Sequence, residues 1–435
     1  MTAPPTQHSA PGRPRVVIVG GGFAGANTAR HLEKACPEAD IVLLSEENYI
    51  TYNPLLPEVV GASLLPGHVV VPLRQLVRRS RVYAVKVNAI DTDARRVHYQ
   101  GEGAGHFDYD HLVLAFGSSA NMDLVPGMEQ HALPLKTLGD ALHMRNQVIA
   151  RIEQAELAVG MAQRVWLNTF IVIGGGFSGV EVAGEISDFL IASRGYYEHM
   201  GDLPRVVLVH AGPCLLPELP PELGEVARAS LARRGVEVRL QARSVSVDAL
   251  GVRLEDGSQI SGGTVICTIG TRPNSLMANL AAPMERGRLR TEADMSVPGL
   301  PGVWALGDCA AVPNAVDGKA SPPTAQFALR QASQLAANIA SAVRGAPTRP
   351  FRYRPRGQMS SVGHNQAVCL LFGQRLSGFI AWLVWRGFYL LHIPTLARKA
   401  RLYLEWNWAM FFPPDITHLR FNRTPRAEER RANTD

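Results

Sequence analysis

Arg15-Val-Val-Ile-Val19 runs without a break into Gly20-Gly21-Gly22-Phe23-Ala24-Gly25, and that junction decides the fold. The first stretch is a short apolar run of the kind that forms a parallel strand buried on both faces. Ala26 to Ala35 reads as a helix, and Asp40-Ile-Val-Leu-Leu44 as a second strand. The unit is therefore βαβ, with G-x-G-x-x-G at its first turn. Gly20 permits the tight turn, Gly22 lets the backbone approach a pyrophosphate, and Gly25 lets helix and strand pack closely. Free N–H groups and the positive end of the helix dipole then favour phosphate. An acid is due at the end of the second strand to hold a ribose hydroxyl. Ser45-Glu46-Glu47 stands there, and Glu46 is the better placed.

The unit recurs. Phe170-Ile-Val-Ile173 leads into Gly174-Gly175-Gly176-Phe177-Ser178-Gly179, Val180 to Leu190 reads as a helix, and Arg205-Val-Val-Leu-Val209 as the next strand. One glycine-rich strand–helix turn can be plain packing; two, each in the required context, point to two dinucleotides. In the second copy the acid position holds His210, with no arginine obviously placed for a 2′-phosphate, so NADH and NADPH both stay open. Two such sites in one chain suggest hydride passage from NAD(P)H to a bound flavin. Val303-Trp-Ala-Leu306 reads as a strand followed by Gly307-Asp308, and an Asp there can accept a hydrogen bond from a ribityl chain. Leu112 to Ser118 and Val265 to Thr271 are apolar strands with Gly117 and Gly270 near their ends, where a backbone can approach a cofactor. Both also read as ordinary core strands.

With these stretches in hand, the chain resembles the type II NADH dehydrogenases, the non-pumping NADH:quinone oxidoreductases among the two-dinucleotide-domain flavoproteins. The resemblance runs from about Arg15 to the aromatic C-terminal region. It is carried by Gly20 to Gly25, Asn48-Tyr-Ile-Thr-Tyr-Asn-Pro-Leu-Leu-Pro57, Leu112 to Ser118, Gly174 to Glu185 (GGGFSGVEVAGE), Ala305-Leu-Gly-Asp-Cys-Ala310 and Pro322-Pro-Thr-Ala-Gln326. It implies that Gly20, Gly22, Gly25 and Glu46 hold the pyrophosphate and adenosine end of FAD. It implies that Asn53 and Pro54 lie near the isoalloxazine ring, and that Asp308 holds the ribityl chain. Gly174, Gly176 and Gly179 would meet the pyrophosphate of NAD(P)H. Glu181 resembles the family's acid near flavin and quinone, and Ala325 and Gln326 the pair beside the flavin pyrimidine edge. His210, and Ser45 where many members have Asp, depart from the pattern. Glu181 also reads as a surface residue favoured by the helix dipole, Gln326 as a polar helix start, and His364 as a solvated loop histidine with a proton relay as its alternative.

The rest of the chain bounds this reading. Its 435 residues, 46% hydrophobic, suffice for two or three cored domains. Cys36, Cys214, Cys267, Cys309 and Cys369 are scattered without a C-x-x-C pair. A disulfide scaffold is not expected, and neither is chemistry that needs a close cysteine pair. The net charge of +6 suits nucleic acid, anionic lipid or anionic nucleotides alike; no nucleic-acid partner and no metal are expected. The leader from Met1 to Pro14 lacks an apolar core, and it and the tail from Arg420 to Asp435 read as disordered.

From Leu376 to Leu396 the chain is apolar and aromatic, but Arg386, Gly387 and Pro394 argue against a bilayer-spanning helix. Trp382, Trp385, Trp406 and Trp408, beside Arg398, Lys399 and Arg401, read as an in-plane anchor with aromatics dipping and cations at the lipid surface. A core helix or a homodimer contact is the competing reading. The expected architecture is α/β, with two Rossmann-like dinucleotide-binding domains. An FAD domain (14–125 and 295–345) is split by an inserted NAD(P)H domain (166–290). A C-terminal amphipathic membrane-docking and dimerisation module (346–435) follows. Between the halves, Thr137-Leu-Gly-Asp140 opens a helix to about Gln163 with capping-box spacing. The chain is expected to be a peripheral protein on the cytoplasmic side of a membrane, passing electrons from NAD(P)H through FAD to a quinone. The alternatives are a flavoprotein reductase for a soluble electron-transfer protein and a membrane-associated NADH-binding sensor without turnover.

Overall fold

The computed structural model describes residues 12–419 apart from 102, 202 and 203; the tail and all but the last three residues of the leader lie outside the described residues. Two parallel sheets organise the chain. In the first, Arg15–Val19 lies between Asp40–Ser45 and His111–Leu114. Arg81–Ala84 extends the sheet beyond the former strand, and Val303–Ala305 beyond the latter. The strand before Gly307-Asp308, nearly two hundred positions away in sequence, thus joins the sheet that carries the first glycine turn. In the second sheet Thr169–Ile173 is flanked by Arg205–Val209 and Thr264–Cys267, with Val236–Arg239 and Ala132–Pro134 at the edges. The Ala132–Pro134 strand precedes the stretch from 166 expected for this half. It is too short to show a period in sequence and is fixed only by pairing with Thr264–Cys267. Every residue of Arg15–Val19 and Thr169–Ile173 is buried, which is why these strands read as unbroken rather than alternating apolar runs.

The helix Phe23–Ala35 packs along Ala325–Val343, which brings the Pro322–Gln326 stretch to the first half. The capping box at Thr137 forms: Thr137 Oγ1 accepts from Asp140 N at 3.1 Å, and Asp140 Oδ2 accepts from Thr137 N at 2.8 Å. The helix it opens ends at Leu157, short of the expected Gln163. Ala158 is extended, and a separate helix, Met161–Leu167, follows Gly160.

The C-terminal module is an antiparallel sheet of Gly357–Ser361, Ala367–Leu371 and Gln374–Ser377, then helices Gly378–His392 and Leu396–Trp408. It closes over both halves. Its sheet packs on helices Phe177–Ser193 and Pro221–Arg233, Tyr52 Oη donates to His392 O at 3.2 Å, and Leu65 N donates to Glu405 Oε1 at 2.5 Å. Among the described residues no helix is long and apolar enough to cross a membrane. The aromatic anchor is not built as expected. Trp382, Trp385 and Trp406 are buried, and only Trp408, 62% exposed, faces outward. The reason is Arg386: its guanidinium carbon lies 3.7 Å from the Trp382 ring centre and 5.1 Å from that of Trp406, so the indoles turn inward to cover a buried cation. The outward apolar side chains are instead Phe379, Ile380, Leu383, Leu391, Leu404 and Phe411, among others.

Candidate active site

The two glycine turns have the same stereochemistry. Gly20 and Gly174 sit at φ +110° and +120°, a region closed to side chains. A Cβ on Gly20 would strike the Ala115 backbone, and one on Gly174 would meet Thr268 Oγ1 at 2.6 Å. A Cβ on Gly25 or Gly179 would collide with the carbonyl oxygen of its own turn, Gly20 or Gly174. Gly22 and Gly176 differ from all of these: a Cβ on either would meet nothing within 4 Å. Each caps its helix without a side-chain hydrogen bond, and neither first turn carries an acid. Both helices therefore present bare N–H groups and an uncompensated positive end to open space, which is what a pyrophosphate requires.

Around the first turn, Gly307 at φ +74° carries the end of the Val303–Ala305 strand past Ala24; a Cβ there would lie 2.9 Å from that of Ala24. Gly307 N is held by Gln331 Oε1 at 2.9 Å. Asp308 Oδ2 accepts from Ser118 Oγ at 3.3 Å and pairs with Lys136 Nζ at 3.5 Å. Lys136 also donates to Ser118 Oγ at 3.2 Å, and its carbonyl accepts from Asn53 Nδ2 at 3.3 Å. Gly117, at φ +66° with open space around it, adjoins Ser118, and Pro54 follows Asn53 in a short helical turn. Phe23 packs edge-on against Tyr52, centroids 5.2 Å apart. Ala325 and Gln326 are half-buried at the start of a third helix whose N-cap, Thr324, makes no side-chain bond. Glu46 projects beyond Asp40–Ser45 and pairs with Lys86 at 3.7 Å. Lys136 carried no pattern in sequence, and Ser118 only closed the Leu112 to Ser118 stretch without a role of its own; their folding onto Asp308 reveals both.

In the second copy His210 turns back onto its own loop. Its Nδ1 accepts from Gly175 N at 3.1 Å, and the ring lies between Gly175 and Gly212. Burial lowers its pKa, so it is a neutral strut there.

Glu181 is not a surface residue. It is 6% exposed, and its Oε1 accepts from Ser361 N at 3.2 Å and Ser360 Oγ at 3.3 Å. Burial, reinforced by the Glu58 charge, pushes its pKa up to about 8 against those hydrogen bonds. Two further acids missed in sequence lie alongside, both also buried. Glu185 is one turn on and accepts from Ser63 Oγ at 2.9 Å; Glu58 Oε2 accepts from Trp406 Nε1 at 3.0 Å. Burial raises both, Glu58 to about 7, while Arg386, itself less than a tenth exposed, pulls them back. The available signals were a lone acid in Leu55-Leu56-Pro57-Glu58-Val59-Val60, and Glu185 four residues after Glu181 in an apolar helix. His364 lies in a turn, as expected, and is half-buried. Its ring packs edge-on against Trp382 at 5.8 Å, its N–H donates to Asp188 Oδ2 at 2.5 Å, and its carbonyl accepts from Arg234 Nη2 at 2.6 Å. All five cysteines are free and four are buried. Burial pushes Cys309, beside Asp308, up to about 12, so it is a packed thiol and not a nucleophile.

Two parallel sheets, each ending in an open glycine at a bare helix start, define a two-dinucleotide oxidoreductase. The family described as pyridine nucleotide-disulphide oxidoreductase matches residues 14–332. The type II NADH:quinone oxidoreductase of Mycobacterium tuberculosis is 32% identical over 415 residues, 91% of this chain and 88% of that one. The demethylphylloquinone reductase of Synechocystis is also 32% identical, over 406 residues, 91% of this chain and 96% of that one. Within that broad class, this chain belongs to the type II NADH:quinone oxidoreductase family. The NDH2 of Plasmodium falciparum, solved with NADH, shares the fold at a TM-score of 0.87 and 17% identity, covering 93% of this chain and all of that one.

Proposed function

We propose that this chain oxidises NAD(P)H through a bound FAD and passes two electrons to a quinone without pumping protons. The observation that carries this reading is the pair of bare helix starts at Gly22 and Gly176. One chain offers two pyrophosphate cradles, and hydride transfer between a nicotinamide and a flavin needs two. Gly20, Gly22, Phe23, Ala24 and Gly25 would form the FAD cradle, with Glu46 at the adenosine end. Asp308, steadied by Lys136 and Ser118, would accept from the ribityl hydroxyls. Gly117, Gly307, Asn53 and Pro54 would border the ring system, and Ala325 and Gln326 its pyrimidine edge. Gly174, Gly176 and Gly179 would hold the nicotinamide dinucleotide. The flavin supplies the redox chemistry when bound. The protein's part is orientation, exclusion of water, and a proton held on Glu181.

The purified chain is expected to be yellow, to bleach with NADH and to recover colour with a soluble quinone. Gln326→Ala is expected to slow the recovery about tenfold or more while bleaching stays within about twofold, a loss of the size a positioning contact gives. A colourless chain that takes up no added FAD overturns the reading, and slower bleaching with normal recovery overturns the role of Gln326.

The outward apolar side chains of the last two helices, beside Arg398, Lys399 and Arg401, suit a lipid surface on the side where the quinone arrives. Vesicles containing anionic phospholipid are expected to sediment the protein, and the double change Phe379→Ser with Leu383→Ser to release it. A protein that stays in solution with such vesicles and pairs with a second copy through this face reassigns the face to a homodimer.

A further inference from the structure

Glu181, Glu185 and Asp188 lie at i, i+4 and i+7 of the helix Phe177–Ser193, a spacing that puts them on one face. The three span about 10 Å along the axis. Glu181 and Glu185 are buried, and nothing in the two cofactor cradles uses the latter. The C-terminal end of this face opens into a mostly apolar cavity of about 690 Å³ between the first half and the tail helix. Glu185, Asp188, His364 and Ser63 line it together with Leu404 and Trp408. Glu58 faces the line from a second element, Leu56–Val60, and Arg386 from a third, with its Nε buried and without a hydrogen-bond partner. An apolar helix pressed against a core gains nothing from such acids: each costs several kcal/mol to bury as an ion.

We propose that this carboxyl face is the proton entry of the enzyme, leading from the cavity at Asp188 and His364 through Glu185 and Glu58 to Glu181. The proposal rests on the quinone-reductase reading. The reaction NADH + H⁺ + quinone → NAD⁺ + quinol takes one proton from solvent per turnover. In the relevant step the carboxyl O–H of Glu181 breaks as an O–H forms on one quinone oxygen, while the electron pair and the other hydrogen of the quinol are those that NADH gave up as hydride. The carboxylate left behind takes its proton from the Glu185–Glu58 pair, which is refilled from the cavity. Arg386 keeps that pair from holding two protons permanently. Its charge lies beside both carboxyls and lowers the affinity of each for its proton, against burial.

The other charged groups around the line do not close it. Asp188 lines the cavity, bound to Arg234 Nε at 3.0 Å and to the His364 backbone N–H, and burial raises its pKa against both partners, which suits it to take up a proton there. His364, lowered by burial and by Arg386 and Arg234, is neutral near pH 7 and can pass a proton without trapping it. In the same cavity lining His68 is paired with Glu405, while Arg401 is exposed. Tyr389, partly buried and held as the phenol by burial and by the Glu181 charge, adds no charge.

The test compares acceptors in the FAD-loaded enzyme. Quinone needs a proton delivered to it; ferricyanide takes electrons alone. Glu185→Gln is expected to lower the ratio of quinone to ferricyanide rates at least tenfold at pH 8, and Glu58→Gln to do the same. Infrared spectra of the protein without nucleotide are expected to lose a protonated-carboxyl C=O band in Glu185→Gln between pH 6 and 8. An unchanged rate ratio in both variants, or equal loss with both acceptors, overturns the proposal. Failure of NADH to bleach the unsubstituted enzyme overturns instead the reading on which it rests.

Discussion

Gly176→Asp is expected to raise the NADH concentration needed for flavin bleaching by two to three orders of magnitude without destabilising the protein. The position has room: a Cβ there touches nothing, and φ is −78°, ordinary for an L residue. Asp is among the preferred N-cap residues, so replacing Gly gains a few tenths of a kcal/mol for the helix. The same carboxylate stands where the second pyrophosphate would meet the helix start. Two like charges about 4 Å apart at an effective dielectric constant near 20 repel by about 4 kcal/mol, or roughly a thousandfold in affinity. Gly22→Asp is the matched case and is expected to abolish flavin retention instead, giving a folded but colourless chain. Thermal melts and stopped-flow bleaching at graded NADH read both effects. Near-normal NADH affinity in Gly176→Asp means that no phosphate sits at that helix start.

The glycine turns were legible in sequence because their reasons are local. Each steric demand acts within a few residues of the turn, so strand, glycine spacing and helix report it together. Asp308 was legible for the same reason, as a strand end. Lys136 was not. It reaches Asp308 only because Val303–Ala305 joins the first sheet, and nothing in residues near 136 records that pairing. Glu58 and Arg386 are harder still. They come from opposite ends of the chain and meet at Trp406, and each alone resembles an ordinary helical charge. The tryptophans misled for a related physical reason. An indole favours any place that is apolar on one side and polar on the other. A buried guanidinium offers that as well as a headgroup layer does, and composition does not separate the two.

Arg386→Met is expected to change the sign of its effect on stability across the pH range. The guanidinium is enclosed by Trp382 and Trp406, donates through Nη1 to Trp406 O at 3.1 Å, and stays protonated, its pKa lowered by burial only to about 10. Glu58 and Glu185 share this one cation and titrate as a unit. Their folded pKa values are raised, Glu58 to about 7 from 4.5. The stability these carboxyls contribute is therefore complete below the unfolded value of 4.5 and is lost as pH climbs through the folded values. Below 4.5 both are neutral and Arg386 is a buried charge without a counterion. Met, unbranched and adaptable, then removes a cost, and the variant is at least as stable as the parent. Above pH 7 the parent has an ion pair, whereas the variant must either keep both carboxyls protonated against the solvent pH or bury their charge alone. A loss of about 3–5 kcal/mol is expected there. Urea unfolding of both proteins at about pH 4.5 and pH 8 measures the difference. An equal loss at the two pH values would mean that Arg386 acts through its stacking on the tryptophans and not through the acids, and Glu58 and Glu185 would then have to be held by something other than its charge.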